Sequence, residues 1–178
     1  MNCLILTGPK HSGKTSAGKA LALAASYDFI DLDELITQKT GKTPRQLYIE
    51  GTAVFQKAEA EAIAAIGGTD SKQQVIAAGG GIIDNPETLK KLKLLKADGT
   101  KVIYLKISAE CAWQRITNSS GGELPPFLQT ENPQETHRTL HERRAAAYLQ
   151  LADIVIEAED LSPEQTAAKV LDQILPIV

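Results

Sequence analysis

Gly8-Pro9-Lys10-His11-Ser12-Gly13-Lys14-Thr15 fills every fixed position of G-x-x-x-x-G-K-[ST], the pattern of a loop that holds nucleotide phosphates. It follows an apolar run at residues 3–7 and leads through Ser16 into Ala17, Ala20, Leu21, Leu23 and Ala24, whose spacing is helical. In a strand, glycine turn and helix of that order, backbone N–H groups face a phosphate and the positive helix end lies behind them. Lys14 is expected between the β- and γ-phosphates, the Thr15 hydroxyl on Mg²⁺, and Lys10 as a second positive charge at the rim. This reading fixes a nucleotide but not yet a reaction.

Outward from the loop, short apolar runs at 28–30, 75–78, 102–107 and 153–156 alternate with longer helical patterns. The alternation predicts βαβ units, and so a three-layer α/β fold in which a five-stranded parallel sheet carries helices on both faces. Helix starts are marked by Thr43-Pro44, Asn85-Pro86-Glu87, Ser108 ahead of 109–117, and Ser162-Pro163-Glu164. The last of these helices carries Ala167, Val170, Leu171 and Ile174 at helical spacing and should close the core. Residues 118–133 break the pattern: Ser119, Ser120, Gly121, Gly122, Pro125, Pro126, Asn132 and Pro133 show no apolar period. Such a long loop predicts a lid, with Gly121-Gly122 as its hinge.

The 178 residues, 43% hydrophobic and 23% charged, suit a single domain over 1–178 that needs no metal or disulfide staple. With 19 Lys and Arg against 22 Asp and Glu, the net charge of −3 excludes a strongly basic nucleic-acid surface and a polybasic membrane patch. Cys3 and Cys111 form no C-x-x-C pair and read as small core residues. There is no signal-like start and no apolar stretch near the ~18 residues of a membrane span, so the expected setting is the reducing cytoplasm. With no evident exposed apolar stripe, a monomer is expected.

Phe29-Ile30-Asp31-Leu32-Asp33-Glu34 puts two carboxylates at the C-terminal end of a short strand, the edge where open parallel sheets bind ligands. One can join the Mg²⁺ shell while the other accepts a hydrogen bond from an acceptor hydroxyl. The same pattern also fits an ordinary helix N-cap, and spacing alone leaves both readings open. Gly79-Gly80-Gly81 ends the next strand, where three glycines cost backbone entropy unless a ligand approaches closely or a turn demands positive φ.

With these pieces in order, the chain resembles the shikimate kinases, small P-loop kinases of the nucleoside monophosphate kinase fold. Gly13-Lys14-Thr15-Ser16-Ala17-Gly18-Lys19 is similar to the family's G-K-[ST]-[ST]-x-G-[RK], Asp31-Leu32-Asp33 to its D-x-D, and Gly79-Gly80-Gly81 to its glycine-rich strand end. Gly51 to Glu59 resembles the region ending in F-R-x-x-E, and Arg144 to Tyr148 followed by Ala152-Asp153 resembles R-x-x-x-Y-x-x-x-A-D. The resemblance implies ATP-dependent transfer of the γ-phosphoryl group to a ring hydroxyl of shikimate, with Mg²⁺, in aromatic amino-acid biosynthesis. It implies an acceptor-binding region at about 31–62 and a mobile lid at about 117–133. Lys14 and Asp33 would be catalytic, and Gly8, Lys10, Ser12, Gly13, Lys14, Thr15, Ser16 and Arg115 would bind ATP, Arg115 beside the adenine. Asp33, Gln56, Gly79, Gly80, Gly81 and Arg144 would line the acceptor, with Arg144 on its carboxylate, and Thr15 and Asp31 would organise the metal.

Four departures stand out. The arginine of F-R-x-x-E is Gln56, which lacks both the charge and the planar fork of a guanidinium. The lid arginine of R-P-L-L is Pro125, in Leu124-Pro125-Pro126-Phe127-Leu128. His11 replaces a loop glycine and Thr52 the Glu of a G-E pair. Lys57 points about 100° away from Gln56 on a helix and is a poor substitute, whereas Arg45, Arg138, His141 and Arg143 are candidate compensators. Arg143, offset from the His141, Arg144 and Tyr148 stripe, reads as a solvated charge, and Lys10 or Arg138 is expected to supply the missing lid cation. The second reading is a kinase-like nucleotide-binding protein that uses another acceptor, or that has lost catalysis for a regulatory role.

Overall fold

A computed structural model describes residues 3–66, 73–119 and 124–174. The first strand, β1 (Cys3–Thr7), is wholly buried and runs into the glycine loop, after which α1 (Lys14–Ala25) begins. Next come β2 (Asp28–Asp31), α2 (Leu32–Thr40), α3 (Pro44–Glu50), α4 (Thr52–Ala64) and β3 (Gln74–Ala77). Then follow α5 (Pro86–Ala97), β4 (Lys101–Lys106), α6 (Ala109–Ser119), α7 (Pro133–Leu151), β5 (Ile154–Glu157) and α8 (Pro163–Ile174). All strands are parallel in the order β2-β3-β1-β4-β5, with registers such as Ile5 opposite Ile76 and Val102.

Because the β1 side chains alternate, Cys3 and Ile5 enter one core with α2, α4, α5 and α7, while Leu4 and Leu6 enter another with α1, α6 and α8. Cys3 is a core residue as expected, but Cys111 is only half-buried. Both thiols are free. The helix starts carry the caps read from the sequence. Thr43 and Gln46 form a reciprocal capping box, and Asn85 Oδ1 accepts from the Thr88 N–H at 3.3 Å. Ser162 Oγ accepts from the Gln165 N–H at 3.2 Å.

The interruption between α6 and α7 is shorter than expected, since α6 runs to Ser119 and Asn132 caps α7. Pro126–Leu128 forms a 3-10 turn with Leu128 fully buried, so this part of the expected lid is pinned to the core. The expected Gly121-Gly122 hinge lies outside the described residues. Among those described, no helix is long and apolar enough to cross a membrane.

Switching from β3 on one side of β1 to β4 on the other opens a crevice at the C-terminal ends of these strands. The glycine loop, Asp31 and the triple glycine all leave the sheet at that edge.

Candidate active site

Gly8 leaves β1 with φ 144°, and a Cβ there would lie 2.6 Å from the Leu105 carbonyl oxygen, so only glycine fits. The loop then wraps the Lys14 ammonium, which donates to the carbonyl oxygens of Pro9 at 2.7 Å and Gly8 at 3.1 Å, with Ser12 Oγ at 3.5 Å. Burial, with the Lys10 charge adding to it, brings the Lys14 pKa down to about 8. Asp33 opposes that fall.

His11 occupies the left-handed region at φ 60°, costing roughly 1 kcal/mol for a residue with a Cβ. Contacts on both sides hold it there: its carbonyl accepts from Arg115 Nη1 at 3.2 Å, and its Nε2 lies 3.2 Å from Ser119 Oγ at the end of α6. Arg115 also donates to the Glu159 carbonyl at 2.6 Å, tying the loop to the turn after β5.

Asp31 is an N-cap through one oxygen and meets Thr15 through the other. Its Oδ1 caps α2, accepting from the N–H groups of Asp33 at 3.0 Å and Glu34 at 3.4 Å, while Oδ2 accepts from Thr15 Oγ1 at 2.8 Å. Asp33 therefore lies in the first turn of α2 and faces the cleft. Burial first, and the neighbouring Asp31 charge second, raise its pKa above the ordinary carboxylate value. Gly80 closes the floor: a Cβ there would lie 3.2 Å from the Gly8 carbonyl and 3.3 Å from the Lys10 nitrogen. The Tyr148 hydroxyl donates to the Gly80 carbonyl, which holds the turn in place.

Lys10, Gly13, Lys14, Thr15, Ser16, Asp31, Asp33, Gly79, Gly80, Gly81 and Arg144 line one cleft of about 710 Å³. Gly8 and Ser12 support it from behind the loop, and Arg115 lies on the far side of His11. Gln56 does not line it. Its amide donates to the Asp84 carbonyl at 3.2 Å, because an uncharged amide is satisfied by a nearby buried carbonyl. Tyr48, Phe55, Pro126 and Phe127 form the apolar wall, and Arg45 joins Arg144 as a lining cation.

The other candidate compensators separate clearly. Arg138 is exposed, pairs along its own helix with Glu135 at 2.7 Å and Glu142 at 2.8 Å, and does not line the cleft. Arg143 is not a free solvated charge, since it pairs with Asp84 at 2.9 Å. His141 stacks near His137, itself close to Trp113, away from the cleft lining.

Glu59 was legible only as a retained motif position, yet it is 1% exposed and accepts from Asn85 Nδ2 at 2.9 Å. Burial pushes its pKa up to about 7 from the usual 4.5, although the Asn85 hydrogen bond lowers it. The native state thus holds this proton more tightly than the unfolded chain, and stability present below about pH 4.5 is lost as pH rises through 7. The loss is on the order of 3 kcal/mol. Glu59→Gln should therefore melt several degrees above wild type at pH 8, with the gap closing toward pH 5. A pH-independent gap in the melting curves would contradict an ionising Glu59.

Comparisons with known proteins show the family. The family model described as Shikimate kinase matches residues 10–175. A shikimate kinase of Thermodesulfovibrio yellowstonii is 35% identical over 174 residues, covering 97% of this chain and 95% of the relative. A shikimate kinase of a Marinomonas species is 34% identical over 172 residues, covering 96% and 91%. Among solved structures, shikimate kinase from Acinetobacter baumannii in complex with shikimate aligns with a TM-score of 0.84 at 31% identity, over 98% of this chain and 93% of that one.

Proposed function

The chain belongs to the shikimate kinase family, and on that premise we propose that it transfers the γ-phosphoryl group of ATP to a ring hydroxyl of shikimate. The observation that carries the reading is the convergence of Lys14, the Thr15 and Asp31 pair, Asp33, Gly80 and Arg144 on one cleft at the C-terminal edge of the sheet. Arg144 meets the acceptor carboxylate, while Asp33 and the Gly80 backbone orient its hydroxyls. Asp33 takes the hydroxyl proton as the new O–P bond forms and the bond to the ADP leaving group breaks. Lys14 neutralises charge that develops between the β- and γ-phosphates, exchanging the loop carbonyls it now holds for phosphate oxygens. The Thr15 hydroxyl and Asp31 carboxylate are hard oxygen donors suited to Mg²⁺, which supplies charge neutralisation on the phosphates when bound. Arg115 flanks the nucleotide base, residues 31–62 hold the acceptor, and 117–133 act as the lid, with the 126–128 turn as its anchored base.

With proline at 125 and Arg138 engaged elsewhere, Lys10 is the cation we assign to the work of a lid arginine. It lines the cleft, and its charge acts on both Lys14 and Asp33. Lys10→Met should lower kcat by roughly ten- to a hundredfold while leaving the KM for shikimate near its original value. An unchanged kcat would remove Lys10 from the mechanism.

We also read the protein as a cytoplasmic monomer. Its free thiols fit a reducing compartment, and among the described residues the most exposed apolar side chains, Leu23, Ile49, Leu94 and Leu149, sit on four different helices. The function is tested by ADP release from Mg·ATP with and without shikimate. Shikimate-dependent release is the expected result. ATP binding without stimulation would favour another acceptor or a non-catalytic role.

A further inference from the structure

Asp84 ends the 3-10 turn that follows Gly79-Gly80-Gly81, and its carboxylate is shared by two guanidinium groups. Oδ2 accepts from Arg144 Nε at 2.9 Å and Nη2 at 2.7 Å, so one whole edge of that guanidinium is taken. Arg143 approaches from solvent, with Nη1 2.9 Å from Oδ1 and Nη2 3.1 Å from Oδ2. The backbone is fixed as well: the Asp84 carbonyl takes the Gln56 amide, and the adjoining Asn85 donates to the Gln56 carbonyl at 2.7 Å and to Glu59. Side-chain exposures of 17% for Arg144 and 24% for Asp84 make this a partly desolvated pair, unlike an ordinary surface ion pair.

Burial pushes the Asp84 carboxyl up, and the hydrogen bonds and charges of Arg143 and Arg144 more than reverse that, holding it below the ordinary value. It stays ionised across the neutral range. Arg144 nevertheless lines the cleft, beside Gly81 and 5.8 Å from the Phe127 ring. An acceptor carboxylate entering there meets a guanidinium that already carries one carboxylate, and the two like charges repel across it. Gln56, turned away to a carbonyl, contributes no compensating charge.

We propose that Asp84 sets acceptor specificity in this chain, acting as an internal counter-carboxylate on Arg144 that weakens the grip on an acidic acceptor and lets uncharged polyhydroxylated rings compete. The inference rests on the shikimate kinase reading and adds to it a residue and a substrate class. Contacts to the ring hydroxyls from Asp33 and Gly80 do not involve Asp84, so its influence is confined to the carboxylate end. Arg143 moderates the effect by drawing part of the Asp84 charge toward solvent.

The test measures kcat and KM, at saturating Mg·ATP, for shikimate and for shikimate methyl ester, which keeps the hydroxyls but lacks the charge. Wild type should turn over both, with values of kcat/KM within about tenfold of each other. Asp84→Asn is isosteric and should lower the KM for shikimate about tenfold while leaving kcat and the ester's KM unchanged. Arg143→Ala, which leaves the Asp84 charge to Arg144 alone, should raise the KM for shikimate severalfold with no effect on the ester. The proposal is overturned if Asp84→Asn leaves or raises the KM for shikimate, or shifts acid and ester alike. Should Asp84→Asn fail to fold, Arg143→Ala decides, and an unchanged or lower KM for shikimate there overturns it. Wild-type protein that binds Mg·ATP but phosphorylates neither compound overturns the kinase reading itself along with this one, a result distinct from failure at Asp84.

Discussion

Lys14→Ala should lower phosphoryl transfer by at least about a thousandfold, the loss expected when a charge aimed at the developing phosphate oxygens is removed. The fold should survive. The ammonium's partners are the Gly8 and Pro9 carbonyls and the Ser12 hydroxyl, in a loop that lines the cleft, where water can replace it. A melting temperature within a few degrees of wild type would separate lost chemistry from lost structure. The same lysine gives a pH signature in the free protein. With its pKa lowered to about 8, the charged form is complete well below that value and is lost as pH rises through it, so ATP affinity should weaken from about pH 8 upward. Calorimetric titration of wild type and Lys14→Ala checks both points. Substantial turnover in the variant, or an alkaline decline that persists in it, would take Lys14 out of its assigned role.

Asp33→Asn should lower kcat by about a hundredfold or more, within the range for removing a positioned general base. Its N–H donates to Asp31 and its carbonyl accepts from Thr37 Oγ1 at 2.8 Å, and these contacts are unaffected by an amide at the end of the side chain. Neutralising Asp33 also relieves its repulsion with Asp31 and Glu59, so the variant should be no less stable at neutral pH. In wild type kcat/KM should rise as pH climbs through the raised Asp33 pKa, and that limb should vanish in the variant. A variant that retains the limb, or loses only affinity for shikimate, would make Asp33 a binding residue instead of a base.

Much of the fold was legible because its signals are local. The glycine loop, the alternation of apolar runs with helical periods, and the proline-marked caps each depend on residues within a few positions of one another. The helices marked by Thr43-Pro44 and Ser162-Pro163 start where those signals lie, at Pro44 and Pro163. The assignment of cations on α7 did not follow from its stripe alone. Arg138 pairs with Glu135 and Glu142, three positions before and four after it, a spacing that is local and readable in the sequence. Arg143 carries no such signal, since its partner Asp84 lies 59 positions away.

By itself, then, the sequence determined the sheet, its helices and the strand edge where the phosphate loop, Asp31, Asp33 and the triple glycine meet. Backbone geometry ties those residues to strand ends whatever their side chains do. Only the tertiary structure decided that Asp31 serves Thr15 and the cap together, that Glu59 is sealed away with a raised pKa, and that Arg144 already holds Asp84. A carboxylate reads the same in sequence whether it faces solvent, a metal or an arginine 60 residues on, and its partner is chosen by packing between elements and the cost of leaving a charge unpaired.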